Sequence, residues 1–322
     1  MYWFDKKGKD TDVFLSSRVR LARNFKDYPF EPMLCDTASK EIIEKVRGAL
    51  SDSGYSEEPV APDLAEKRII SRELAHKKTP RALFVNEKED TYVMVCEEDH
   101  LRLQCVKAGF DLRGALEGAI RCDEKIDVKC TVAFDEKLGY LTHCPTNLGT
   151  GMRASVMMHL PALAMTGKLK GIENQLVKLG FTVRGCEGEG SEALGDLYQI
   201  SNSASLGLTE EEIIEKLESC AVSVAQAERD MRQRLMNEKE DALRDKILRS
   251  LGTAKYAHML TTKEMYSLYS DIRLGISLGI IEKDVAELDR LLMSCLPYSL
   301  SEGKELSPTQ RDRKRAEKFS KV

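Results

Sequence analysis

The chain has 322 residues, 32% of them charged and 42% hydrophobic, with a formal net charge of −4. That length allows two domains with ample core. The charge balance excludes a global pull towards nucleic acid or an anionic membrane, and no apolar run reaches the roughly 20 residues of a membrane span. Nine cysteines are scattered without a Cys-x-x-Cys pair, which argues against a zinc site. Their odd count, and a start (Met1-Tyr-Trp-Phe-Asp-Lys-Lys) lacking the apolar core of a secretory leader, predict reduced thiols in the cytoplasm.

Residues 12–23 predict a strand that continues as an arginine ladder. Alternation puts Arg18 and Arg20 on one side, where two guanidinium forks suit phosphate oxygens; a solvated edge strand is the plain alternative. Apolar spacing predicts helices over 37–50 and 63–75, joined by a Ser/Gly/Pro-rich loop over 51–62. Residues 81–86 and 90–96 read as an antiparallel hairpin. The second run leads into Cys96-Glu-Glu-Asp-His-Leu-Arg102. Three successive acids beside apolar strand residues are costly unless they meet cations or a metal. Alternation groups Glu98, His100 and Arg102 on one side, with Glu97 and Asp99 on the other. An acidic surface turn is the simpler reading.

A helix over 110–121 follows, then a hairpin of 128–134 and 139–144, which carries Cys144 to a sheet end. Cys144-Pro-Thr-Asn-Leu-Gly-Thr-Gly-Met-Arg153 is the stretch richest in chemistry. Gly149 and Gly151 permit a tight turn and close approach to a ligand, and Thr146, Asn147 and Thr150 stiffen it. Arg153 is expected to open a helix over 153–165, an anion-binding N-terminus with a fixed charge added. A strand-to-helix turn without function fits the same residues. A helix near 170–179, a strand over 180–184 and a glycine-rich loop over 185–190 come next; that loop has neither Rossmann nor Walker spacing.

From Thr209 the pattern turns helical. Thr209-x-x-Glu212 forms a capping box before a long stripe of Ile213, Leu217, Ala221, Val224, Ala227, Met231 and Leu235. The stripe needs a partner, either the preceding body or a second subunit. Helices over 262–275 and 283–295 follow. The basic tail Arg311-Asp-Arg-Lys-Arg-Ala316 reads as a solvated helix end, since interleaved aromatics of a nucleic-acid patch are missing.

Four motifs stand in order: Ser16-Ser-Arg-Val-Arg20, Glu97-Glu-Asp-His-Leu-Arg102, Cys144-Pro-Thr-Asn-Leu-Gly-Thr150 with Arg153, and Arg184-Gly-x-x-Gly-Glu189. Together they resemble the phosphagen (guanidino) kinases, the cysteine-proline-threonine-asparagine loop most specifically. Gly188–Gly195, Tyr198–Asn202, Ser155–Ala162 and the tail resemble the bacterial protein-arginine kinase branch. The resemblance spans essentially the whole chain. It implies an α+β fold: an antiparallel β-sheet flanked by helices over 1–208, then an all-helical domain over 209–322 for dimerisation and phosphoarginine docking.

The resemblance also implies roles. ATP and Mg2+ are the cofactors. Ser16, Ser17, Arg18, Val19, Arg20, Arg102, Arg153, Ala154, Ser155, Val156, Met157, Arg184, Gly185, Cys186, Glu187 and Gly188 line the nucleotide site, with Arg68 stacked on the base. Glu97 and Asp99 hold magnesium through water. The acceptor guanidinium is normally charged, with a pKa above about 12, so something must orient it and take a proton. Glu98 and Glu189 match the two clamping carboxylates, Glu98 as base, and Cys144 matches a substrate-positioning thiolate. Arg311, Asp312, Arg315 and Ala316 match a phosphoarginine pocket. Implied partners are proteins with accessible arginines, a second copy of the chain, a zinc-binding activator of the McsA type and a Clp chaperone, in a stress response; nucleic acid and membrane are not expected.

Only fifteen residues precede Ser16, where small-guanidino kinases carry a helical domain. An acceptor pocket open to a protein-borne arginine is therefore expected. A kinase of a free guanidino compound, and a non-catalytic phosphoarginine-binding adaptor, are the alternative readings.

Overall fold

Strand β1 (Phe14–Arg23) forms where the arginine ladder was expected. The computed structural model describes all residues except 1, 32, 89, 186–192 and 302. After β1 come α1 (Asp36–Leu50), β2 (Tyr55–Glu58), α2 (Pro62–Glu66), α3 (Arg72–His76), β3 (Ala82–Asn86), β4 (Thr91–Val95), β5 (Leu101–Ala108) and α4 (Leu112–Asp127). Then follow the short hairpin β6 (Phe134–Asp135) and β7 (Gly139–Tyr140), β8 (Met152–His159), α5 (Pro161–Met165), α6 (Leu169–Lys178), β9 (Phe181–Gly185) and β10 (Leu197–Asn202). The chain ends in helices: α7 (Glu210–Tyr256), α8 (Thr262–Ser277), α9 (Val285–Ser294), α10 (Pro297–Ser301) and α11 (Pro308–Phe319). No described helix is long and apolar enough to cross a membrane.

Four expectations fail, each for a local reason; the hairpin expected over 128–134 and 139–144 forms only as the two-residue strands β6 and β7, because α4 runs on to Asp127. The helix expected over 63–75 is two short ones, α2 and α3. Arg68 takes φ 61 between them, and the amides of Ile69 and Ile70 both turn back to Leu64 O, at 2.8 and 3.3 Å. A left-handed residue ends a right-handed helix. The loop expected over 51–62 contains β2, which pairs antiparallel with β3 from Tyr55↔Asn86 to Glu58↔Leu83. The helix expected over 153–165 is mostly the strand β8, whose Ala154, Val156, Met157 and Met158 are all buried. Periodicity cannot separate a short, wholly buried strand from a helix. The helix starts only at Pro161, a residue suited to a first turn.

Two compact units interleave along the chain, whereas the expected domains are sequential. The first comprises Met1–Trp3, Ser16–Val156 and Ser201–Glu218. Its strands lie in the order β2-β3-β4-β5-β1-β8, and β2 to β5 and β1 pair antiparallel. Helix α4 packs so tightly on β5 that a Cβ on Gly118 would sit 2.5 Å from Cys105 Sγ. Ser17 Oγ ties β1 to the start of α4, donating to Gly109 O and accepting from Asp111 N, both at 2.9 Å.

The second unit comprises Phe4–Leu15, Met157–Ile200 and Ser219–Val322, with β9 beside β10. Its core is unusually polar. Buried Glu228 pairs with Arg232 at 2.7 Å and accepts the amides of Ala162 and Leu163, which the start of α5 would otherwise leave unsatisfied. Arg273 reaches Thr11 O at 2.7 Å and Asp289 at 3.2 Å, and Tyr269 donates to Asp289 at 2.5 Å. The helix caps read from sequence form: Thr209 with Glu212, and Thr261 with Glu264 N. Of the α7 stripe, Ile213, Leu217, Ala221, Val224 and Met231 are buried within the chain itself. A lone non-helical residue, Lys239 (φ −146, ψ 39), breaks α7.

Two buried imidazoles make stability pH-dependent. Burial lowers the pKa of His159 well below the usual 6.5, and neighbouring Arg273 and Arg232 lower it further. Burial likewise lowers His100, against a hydrogen bond to Pro29 that raises it. In the unfolded chain both would take a proton near 6.5; in the fold they resist it. Their contribution is therefore present above that value and lost as the pH falls below it, by up to about 1.4 kcal/mol per imidazole per pH unit. Urea midpoints at pH 7.5 and 5.5 should show a clear drop; equal midpoints would contradict this.

Candidate functional site

In β1, alternation sends Ser16, Arg18 and Arg20 to one face and Ser17 and Val19 to the other. The antiparallel register with β5 sets Arg20 opposite Gln104 and Ala22 opposite Arg102. Paired residues share a face, so Arg102 projects on the same side as Arg18 and Arg20. From β8, Ser155 accepts from Arg18 Nε at 3.4 Å, and Arg153 donates to Ser201 Oγ at 3.3 Å. Ser17 and Val19, expected to touch nucleotide, instead pin α4 and fill the core. Ala154 and Val156 likewise lie on the face opposite Arg153 and Ser155, fully buried.

Four like charges thus meet. Burial pushes the Arg18 guanidinium down to about 9, and Arg68, Arg102 and Arg153 add to the shift. Arg20 is also held well below its usual value, first by burial and then by Arg18, Arg102 and Arg153, with Glu97 opposing. Its Nε is buried with no hydrogen-bond partner. A guanidinium does not give up its proton in a protein. The face therefore holds crowded, part-buried positive charge, which favours an added anion. Arg68, read as a base-stacking group, belongs electrostatically to this cluster.

The acids 97–99 do not continue a strand. They form the β4–β5 turn, which Cys96 enters at φ 57 and which Cys96 N closes on His100 O at 2.8 Å. The expected alternation consequently fails, and Arg102 grips both Glu97, at 2.5 Å, and Glu98, at 2.8 Å. Glu97 is fully buried and also accepts the amide of Glu98. Asp99 Oδ1 accepts from Asn24 Nδ2 at 2.6 Å and from His143 N at 2.7 Å. Asn24 Oδ1 in turn accepts from His100 N, while His100 Nδ1 accepts from Phe25 N at 3.0 Å. That leaves His100 Nε2 to carry the proton and donate to Pro29 O. One buried network therefore fixes the acidic turn, the end of β1 and the approach to Cys144.

Glu97 and Asp99, expected to hold magnesium through water, are both partly engaged within the chain. Glu97 is committed to Arg102 and an amide, and Asp99 to two donors through one oxygen; its Oδ2 is buried without a hydrogen-bond partner. Among the described residues no group of three or more His, Cys, Asp or Glu side chains could hold a metal. Cys144 is half-buried, with Sγ 3.0 Å from Thr146 Oγ1. Gly149 (φ 97) and Gly151 (φ 66) do serve close approach, but to the chain itself. A Cβ would lie 2.7 Å from Ser205 O at Gly149 and 2.5 Å from Arg23 Nη1 at Gly151.

Arg184 and Gly185 end β9 in the second unit, where Met157 also lies. Cys186, Glu187, Gly188 and Glu189 lie outside the described residues. In the tail, Arg315 is buried and donates to Cys295 O, Leu260 O and Asp312. Ala316 is core, so it lines no pocket. Three positioning residues escaped the sequence reading. Asn24 and Arg23 continue the ladder, Arg23 held by Asp123 at 2.7 Å and stacked 3.4 Å over Tyr140. Lys77 binds Glu97 O at 2.7 Å. Glu73 is a further acid of this neighbourhood: burial raises its pKa, as do Glu97 and Glu98.

The sequence pattern of the ATP:guanido phosphotransferase C-terminal catalytic domain matches residues 36–231, and that of the protein-arginine kinase McsB C-terminal domain matches 240–321. The break at Lys239 falls between them. The chain is 43% identical, over 97% of each partner, to a protein-arginine kinase of Caldanaerobacter subterraneus subsp. tengcongensis. It is 42% identical to one of Halalkalibacterium halodurans, over 98% of this chain and 92% of the relative. A substrate-free duplicated taurocyamine kinase of Schistosoma mansoni superposes with TM-score 0.61 at 24% identity, over 81% of this chain and 40% of that one. Lombricine kinase superposes with TM-score 0.59 at 25% identity, over 68% and 67%. These solved structures share the fold.

The arginine cluster predicts a trade-off between stability and binding. Replacing Arg20 by Met removes one repelled charge. It should raise the unfolding temperature without nucleotide by about 2 °C or more and shrink the further rise that ATP produces. A lower melting temperature with an undiminished ATP effect would contradict the cluster's role.

Proposed function

The chain belongs to the ATP:guanido phosphotransferases, in their protein-arginine kinase branch, and from that premise we propose which of its residues move phosphate from ATP to arginine side chains of proteins. The carrying observation is the set of Arg18, Arg20, Arg102 and Arg153 on one sheet face, where burial and the neighbouring guanidinium charges lower the pKa of Arg18 and Arg20. Phosphoryl transfer asks mainly for positioning and charge compensation, and these forks offer both to a triphosphate. Ser16 and Ser155 share their face. Magnesium accompanies the nucleotide, held through its phosphates, with Glu97 and Asp99 placed to reach it through water.

Glu98 is the proposed base. It is paired with Arg102 at 2.8 Å. A phosphate that draws Arg102 away leaves Glu98 free for the incoming guanidinium, so nucleotide binding prepares the acceptor site. Glu189 is the proposed second clamp, Arg184 a further phosphate partner, and Cys144 the thiol that positions the acceptor. Glu98→Gln should cut label transfer to a denatured protein by about 10²–10⁴-fold, with ATP affinity kept or raised because Arg102 loses a competing carboxylate. Near-normal turnover would discard the assignment.

The helical region 209–322 is proposed as the docking and dimerisation module behind a catalytic region 1–208, with a McsA-type activator and a Clp chaperone as partners in a stress response. Cytoplasmic location fits a chain whose eight described cysteines are all free. For phosphoarginine, Arg311 and Asp312 are the ligand-facing candidates, while Arg315 braces α11. Calorimetry should show that Arg311→Ala loses phosphoarginine binding with its melting temperature kept. Arg315→Ala should instead melt several degrees lower, because its buried acceptors lose their donor. The reverse pattern would exchange the two roles.

A further inference from the structure

The turn before β10 is held by the helix α8 in an unusual way. Two successive residues are left-handed, Gly195 at φ 63 and Asp196 at φ 52. A Cβ on Gly195 would sit 2.8 Å from Tyr266 O and 3.1 Å from the Tyr266 ring, so only glycine fits beneath α8. A non-glycine residue in this region costs on the order of 1 kcal/mol and persists only where its surroundings over-determine it.

Those surroundings are specific. Asp196 O accepts from Leu160 N at 2.9 Å, joining the turn to the residue that follows β8. Its carboxylate accepts from Ser270 Oγ at 2.6 Å. With its one proton given to Asp196, Ser270 must accept from His159, whose Nε2 lies 2.9 Å away. The direction of the chain is thereby fixed: His159 to Ser270 to Asp196. His159 and Ser270 are both buried, and α8 is itself anchored by Arg273 and Tyr269 on Asp289.

β10 begins at Leu197, directly after this turn, and lies in the sheet between β8 and the edge strand β9, which carries Arg184. We propose that His159, Ser270 and Asp196 form a latch by which α8 sets the position of β10 and, through it, of Arg184. They are positioning residues that touch no substrate. The inference rests on the reading of Arg184 as a phosphate partner. Chemistry of this kind is sensitive to placement, since an error of about 1 Å can cost on the order of 10²-fold in rate.

The test uses the full chain with Ser270→Ala, Ser270→Thr and Asp196→Asn, the last keeping a side chain that tolerates a left-handed backbone. Turnover of a denatured protein substrate and hydrogen exchange at 181–185 and 197–200 are measured together. Ser270→Ala should lower kcat by about 10- to 100-fold, change KM for ATP far less, and speed exchange at those two strands. Ser270→Thr, which keeps the hydroxyl, should restore both. Asp196→Asn should fall in the same direction as Ser270→Ala. Unchanged kcat in Ser270→Ala and Asp196→Asn, or exchange raised throughout the chain instead of at β9 and β10, would overturn the latch. If the unaltered chain transfers no label to protein arginines, the functional reading fails, and local exchange alone then decides whether the latch exists.

Discussion

Like charges that cannot escape one another govern this molecule. Arg18 and Arg20 are fixed on β1, a strand whose backbone bonds to β5 hold its register, and Arg102 is fixed on that neighbour. Arg153 projects from β8. Side chains on paired strands cannot swing apart as they could on a loop, so the repulsion is built in by backbone hydrogen bonds formed elsewhere. Burial deepens it by removing the water that would screen it. A polyphosphate bound on this face, as proposed above, would offset that repulsion, and strands hold such a site more precisely than a loop can.

The acids complete the account. Glu97 and Glu98 sit in the turn between β4 and β5 and share one guanidinium, so the cluster carries its own partial counterion. Around them many polar groups are paired, Arg20 Nε and Asp99 Oδ2 excepted. Asp99, Asn24, His100 and the amide of His143 close a hydrogen-bond network that ties three chain segments together. Such a network is rigid when complete and costly when broken. It sets Glu98 on one side and the Cys144 loop on the other. The glycines of that loop serve the same end, letting it lie against Ser205 and Arg23 of the same chain.

Much of this was legible in the sequence, for physical reasons that vary by residue. Strand alternation alone paired Arg18 with Arg20, and capping residues marked the starts of α7 and α8. The four motifs gave the family, which a 43% identical protein-arginine kinase supports. What failed was local conformation governed by distant contacts. Met152–His159 is apolar enough for either a helix or a strand, and burial on both faces decided it. The break at Arg68 shows only as a positive φ, without glycine or proline to mark it. Runs of neighbouring residues assigned together to the nucleotide, 16–20 and 154–157, ignored the alternation that sends half of them into the core. Arg315 looks like a ligand residue in a basic tail, and only its buried carbonyl partners show it bracing a helix.

Positioning on this scale makes one chemical demand, that the phosphate end on nitrogen. The most direct measurement is to incubate the chain with labelled ATP and an unfolded arginine-containing protein, and then to follow the label in mild acid. Phosphorus bonded to a guanidinium nitrogen should be lost in acid and kept in alkali. Label that survives acid, or that appears only on free arginine, would contradict the account.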